Sequence, residues 1–203
     1  VFITAWDALV RQGGLTAGRW ALVQAGASGV GTAAIQIAKT IGARIAVTAS
    51  AGKHQVCREL GADVVIDYRA EDFVEAVRSA TDGAGVDVVL DVIGGEYLAR
   101  NVQSVCLGGR IIQVGVMAGG PQPFDVGSLL MKRATITGTT LRARPIEEKI
   151  AITREFAVQL LPAVAAGRLA PVVDSRYPLV DVAAAHERMA ANATAGKPVL
   201  DVR

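Results

Sequence analysis

Ala25-Gly26-Ala27-Ser28-Gly29-Val30-Gly31 lies between an apolar strand-like run, residues 20–24, and an apolar helix-like run, residues 32–41. A glycine-rich turn from strand into helix lets the backbone approach a phosphate, at which the unpaired N–H groups of the first helical turn point. The stretch therefore predicts a dinucleotide cradle. It departs from the GxGxxG pattern in one place: Gly26 and Gly31 hold the outer positions, but Ser28 stands where the second glycine would be, and Gly29 follows it. Ser28 keeps two donors for a phosphate, its hydroxyl and its backbone N–H. Alone, the turn favours the dinucleotide reading but also fits a purely structural connection, so the rest of the chain has to decide.

Outward from the turn, apolar strand-like runs alternate with amphipathic helical ones. Residues 1–10 read as a helix with Phe2, Ala5, Trp6 and Leu9 on one side, ended by Gly13-Gly14. Further strands are predicted at 44–48, 63–67, 87–91, 110–114 and 134–140, with helices at 53–60, 71–80 and 97–105. The stretch with Gly119-Gly120-Pro121 and Pro123 reads as a loop. Six strands in this rhythm predict an α/β fold, a doubly wound six-stranded parallel (Rossmann) sheet over residues 1–140. After Arg144-Pro145 the pattern changes to a long helix at 146–166 that Pro162 should kink, a segment at 171–174, a helix at 182–191 and a strand at 198–202. Residues 141–203 are too few for a core of their own and are expected to pack on the first part or on chain outside this sequence.

An apolar fraction of 51% suits a globular protein, and a net charge of +2 gives no basic face for nucleic acid. No apolar run reaches the roughly 18 residues of a membrane span, and Val1-Phe2-Ile3-Thr4 lacks the layout of a signal peptide, so a soluble, cytoplasmic protein is expected. A chain that opens on Val1, already inside an amphipathic stretch, reads as part of a longer polypeptide. Cys57 and Cys106 have no CxxC spacing and no histidine partner, which argues against a metal site or a disulfide and for two buried apolar fillers. His54 and His186 read as solvent-facing helix residues.

Cofactor choice should be written at the end of the second strand, where an NAD site places an acid about 20 residues past the glycines. Here Thr48-Ala49-Ser50-Ala51-Gly52-Lys53 contains none. Ser50 can donate to a 2′-phosphate and Lys53 can pair with it, which favours NADPH. Lys53 also reads as a solvated cation in the first turn of a helix, a place where cations are mildly unfavourable. Tyr68, just past the third strand, can lie against the adenine, reach the same phosphate, or simply sit on the surface. There is no Ser/His/Asp order, no paired carboxylates and no zinc ligand set, so a protein nucleophile is not expected. Thr135, Thr137 and Thr139 alternate with Ile136 in the strand that should end the sheet, an open edge that invites a homodimer.

Five blocks carry a family likeness: residues 4–9 (TAWDAL), 27–36 (ASGVGTAAIQ), 66–69 (IDYR), 91–95 (DVIGG) and 196–200 (GKPVL). Together the chain resembles the zinc-independent quinone oxidoreductases of the medium-chain dehydrogenase/reductase superfamily, the zeta-crystallin branch in particular. The resemblance implies a GroES-like catalytic domain to which residues 141–203 return and whose N-terminal part precedes this sequence. It implies a pyrophosphate cradle at Ala27, Ser28, Gly29, Val30 and Gly31, and a 2′-phosphate held by Lys53 and Tyr68. It further implies Gly115, Val116 and Met117 along the nicotinamide, Ile93 near the ribose, Leu141 and Arg142 at the cleft, and a homodimer with a sheet continuous across its two-fold. The implied reaction is hydride transfer from NADPH to a quinone or related enone. An enoyl reductase acting on enoyl thioesters and a non-catalytic NADPH-binding protein remain as alternatives.

Overall fold

A computed structural model describes residues 1–202. Its centre is a six-stranded parallel sheet in the order β3-β2-β1-β4-β5-β6. The strands are β1 (Trp20–Val23), β2 (Arg44–Ala49), β3 (Val64–Asp67), β4 (Val86–Asp91), β5 (Val105–Gln113) and β6 (Thr135–Gly138). The strand order reverses between β1 and β4, which opens a crevice beyond their C-terminal ends.

The period-2 pattern of the strands builds two cores. On β1, Ala21 and Val23 face one core and Leu22 the other; on β2, Ile45 and Val47 oppose Ala46; on β4, Val88 and Leu90 oppose Val89. The first core is covered by α1 (Phe2–Trp6), α2 (Gly29–Thr40), α3 (His54–Glu59) and α7 (Ile146–Ala165). The second is covered by α4 (Phe73–Ala80), α5 (Tyr97–Ser104) and α6 (Val126–Lys132). Both faces of β1, β2 and β4 are thus buried, as expected of a parallel sheet.

Several expectations need correction. The first helix is α-helical only to Trp6 and continues as a six-residue π-helix, Asp7–Gln12. The widened turn brings residues five apart to one side, so the Gln12 amide donates to Asp7 Oδ2 at 2.5 Å. Asp7 also holds a bidentate ion pair with Arg144, at 2.7 and 3.4 Å, nearly sealed from water at side-chain exposures of 4% and 13%. The supposed loop after β5 contains α6, whose N-cap Asp125 accepts from the N–H groups of Gly127 and Ser128. Pro162 does not interrupt α7: Ile152, Phe156, Leu160 and Ala163 hold one buried face on both sides of it. Phe156 meets Trp6 edge-on with ring centroids 6.1 Å apart, joining the C-terminal segment to the first helix.

The chain closes with β7 (Val173–Pro178), α8 (Val182–Ala190) and β8 (Lys197–Asp201), β7 and β8 forming a separate parallel pair. Cys57 is buried, whereas Cys106 is only half-buried, so the apolar-filler reading holds for the first alone. No helix among the described residues is long and apolar enough to cross a membrane.

Candidate functional site

The glycine turn sits at the crevice. Ala25 adopts a left-handed conformation (φ 59°), sparsely populated for a residue with a Cβ. Its neighbours explain the small residues. A Cβ on Gly26 would lie 2.5 Å from that of Val47 on β2, and a Cβ on Gly31 would collide with the carbonyl oxygens of Ala25 and Gly26. Gly31 thus serves the close approach of helix to turn.

Ser28 is the N-cap of α2: its Oγ accepts from Gly31 N–H at 3.0 Å. Its own N–H is already given to the Ala25 carbonyl at 2.9 Å, so of the two donors expected there only the hydroxyl remains. The N–H of Val30 has no partner among the described residues, and that of Gly29 faces the Gly196 carbonyl across the parallel bridge to Ser28. They stand at the positive end of a 12-residue helix, where an anion is favoured.

A cleft of about 440 Å³ opens over this turn. Of the expected residues it gathers Ala27, Ser28, Gly29, Ser50, Lys53, Tyr68, Ile93 and Met117. Val30 and Gly31 lie behind the turn, packed toward the core. Gly115 and Val116 flank the cleft without lining it; a Cβ on Gly115 would stand 3.0 Å from the Val92 carbonyl, and Val116 is exposed. Leu141 and Arg142 are not at this cleft. Leu141 lines a separate apolar hollow with Phe2, Phe156 and Leu169, and the carbonyl of exposed Arg142 accepts from Lys149 Nζ at 2.9 Å. The turn that follows β6 carries them onto the α1–α7 side.

The cleft also holds residues to which the sequence assigned no role in the site: Tyr97, Asn192, Thr194 and Lys197. Tyr97 stacks on Phe73 at 5.3 Å, and burial raises its phenol. The other three arrive on the C-terminal segment, which forms a parallel bridge from Gly196 to Ser28 and donates Gly196 N–H to the Ala27 carbonyl at 2.8 Å. Asp174 secures this loop, accepting from Arg188 Nε at 2.7 Å and Ala195 N–H at 2.9 Å. The Arg188 bond, opposed by burial and helped by Ala195, holds the Asp174 carboxyl down to about 2. The GKPVL block contained the signal for Lys197, but only the fold sets it beside Gly29.

Electrostatically the cleft is lined by cations. Lys53 Nζ donates to Asn192 Oδ1 at 2.9 Å; burial lowers its ammonium first, Asp174 opposes that, and repulsion from Arg69 adds to it. The Lys197 chain passes directly over Gly29, bringing a cation to the positive end of α2. No carboxylate lines the cleft among the described residues. His54 does not line it; its Nε2 lies 3.2 Å from the Ala49 carbonyl, so it is half-buried, while His186 is exposed as expected. Among the described residues no three His, Cys, Asp or Glu side chains gather as a metal site.

Comparison with known proteins gives this geometry relatives. A phenolphthiocerol/phthiocerol polyketide synthase polypeptide of Mycobacterium tuberculosis is 35% identical over 99% of this chain and 9% of its own length. The quinone oxidoreductase of Lama guanicoe is 32% identical over 98% of the chain and 59% of its length. The chain therefore spans at most about three-fifths of these relatives. Among solved structures, an NAD-dependent alcohol dehydrogenase superposes with a TM-score of 0.87 at 34% identity, covering 100% of this chain and 56% of that one. A mycobacterial protein solved with NADPH gives 0.85 at 31% identity, covering 98% and 62%. The family model for zinc-binding dehydrogenases matches residues 29–157, from the first turn of α2 into α7. With that match and with relatives of this identity, the chain belongs to the zinc-binding dehydrogenase family of the medium-chain dehydrogenase/reductase superfamily.

Proposed function

We propose that this chain holds NADPH for the reduction of a quinone or related electron-poor enone. The observation that carries the reading is the convergence of an unpaired helix N-terminus with Lys53, Lys197 and nearby Arg69 on a cleft without a carboxylate. The Ser28 hydroxyl and the N–H of Val30 would take the pyrophosphate. Lys53, Ser50 and Tyr68 would take the 2′-phosphate, whose charge relieves the Lys53–Arg69 repulsion. Ile93 and Met117 would line the ribose and nicotinamide end. The cofactor supplies a hydride from nicotinamide C4, and the protein aligns it and excludes water. No zinc ligand set is present among the described residues, and no step is assigned to a metal.

The polyketide synthase relative favours a second reading, reduction of an enoyl thioester by the same cofactor. We assign residues 141–203 to a segment that returns to a GroES-like catalytic domain, and a soluble, cytoplasmic setting. We also propose a homodimer through the β6 edge, beside which α6 exposes Val126, Leu130 and Met131. The test of function is NADPH oxidation with an ortho-quinone, a para-quinone and an enoyl thioester. Turnover of a quinone is expected; thioester turnover alone selects the second reading, and dinucleotide binding with no oxidation of any acceptor leaves a binding protein.

A further inference from the structure

Four polar side chains are sealed inside an otherwise apolar sheet directly beneath the cleft: Thr48, Gln24, Asn101 and Asp91, none more than 2% exposed. They form one continuous chain. Thr48 Oγ1 donates to Gln24 Oε1 at 2.8 Å, Gln24 Nε2 to Asn101 Oδ1 at 2.8 Å, and Asn101 Nδ2 to Asp91 Oδ2 at 2.8 Å. Each end holds backbone. Thr48 Oγ1 accepts from Ala25 N–H at 3.1 Å, and Asp91 Oδ1 accepts from the N–H groups of Ile93 at 2.6 Å and Gly94 at 3.1 Å.

The direction of the chain is set by its chemistry. An ionised Asp91 only accepts, so Asn101 turns its NH2 toward it and its oxygen toward Gln24; Gln24 must then present its oxygen to Thr48. The Thr48 hydrogen is thereby committed to Gln24, which leaves a lone pair facing Ala25 N–H. Both held segments are left-handed, Ala25 at φ 59° and Gly94 at φ 67°. They form opposite walls of the crevice, and apolar side chains in place of the network would fill the core without holding either.

We propose that Asn101 is a positioning residue: it closes a one-way hydrogen-bond chain that couples the glycine turn to the Ile93-Gly94 loop, so that the two walls of the cleft keep a single spacing. The coupling is a property of the unliganded protein; only its effect on binding rests on the dinucleotide reading. Because the Asn101 side chain bonds to neither wall directly, the effect of its loss should reach Ala25 through Gln24 and Thr48.

Amide hydrogen exchange on the unliganded chain tests this, with Thr48→Val, Asn101→Leu and the double variant. Each single variant should speed exchange at both Ala25 and Ile93–Gly94, by about tenfold, the scale of one lost net hydrogen bond. Amides of α6 and β6, which the network does not reach, should keep their protection, and the double variant should add little to the larger single effect. In titrations, NADPH and NADH should weaken by the same factor, unlike the split expected at Lys53. A rise confined to the wall next to the substitution, a rise spread evenly over the molecule, or full additivity overturns the proposal. Should Asn101→Leu fail to fold, Thr48→Val alone decides through exchange at Ile93 and Gly94 on the far wall. If the unaltered chain binds neither dinucleotide, the function proposed above fails while the exchange pattern still judges the coupling.

Discussion

Lys53 is where the proposed choice between NADPH and NADH can be measured. Its ammonium is partly desolvated and repelled by Arg69, and its one side-chain partner is the neutral Asn192. Lys53→Ala should weaken NADPH binding by about 1.5–3 kcal/mol, as for loss of a charge-assisted hydrogen bond, and leave NADH nearly unchanged. Equal losses in titrations with the two dinucleotides would refute its role. Gly29 and Gly31, both in the first turn of α2, should separate binding from folding. A Cβ on Gly31 meets backbone oxygens, so Gly31→Ala should lower stability by about 1–3 kcal/mol in urea unfolding. A Cβ on Gly29 meets first the flexible Lys197 chain, so Gly29→Ala should fold normally and bind dinucleotide less tightly.

The C-terminal loop over the cleft depends on Asp174, whose folded pKa, about 2, lies below the ordinary carboxylate value of about 3.9. Its stabilisation is present above the unfolded value and is lost as pH falls through the folded one. Asp174→Asn should therefore lower the urea midpoint at neutral pH, and the gap to the unaltered protein should close between about pH 4 and pH 2. A gap that persists at the acid end would show that the clamp acts through shape alone. At this same scale the sequence was legible where one element announces itself. Five of the six strands stood out because each is an apolar run bounded by turn residues, and β6 through the alternation of Thr135 and Thr137 about Ile136. The helix α6 did not, since seven residues behind Gly119, Gly120, Pro121 and Pro123 give too little periodicity, and only Asp125 before Gly127-Ser128 marked its cap. Half of the cleft was equally hidden. Asn192 meets Lys53 from 139 residues away, and Lys197 reaches Gly29 from still further along the chain. The π-helix rests on side chains as remote as Asp7 and Arg144, which no local pattern relates.

As a whole, the molecule presents β6 as one of the two edges, with β3 the other, of a sheet in which β2, β1, β4 and β5 are each paired on both sides. An unpaired edge next to the exposed apolar residues of α6 should be covered by a second copy. Light scattering at micromolar concentration should give twice the chain mass, and a monomer there would remove the dimer from the proposal. Far from that edge, the hydrogen bond from Gly196 to Ala27 ties the last residues of the chain to its first glycine turn. Through it, anything that stiffens the turn also stiffens the tail. Digestion at Arg188 should accordingly slow when dinucleotide is added, making the tail a reporter, readable on a gel, of whether the cradle is filled.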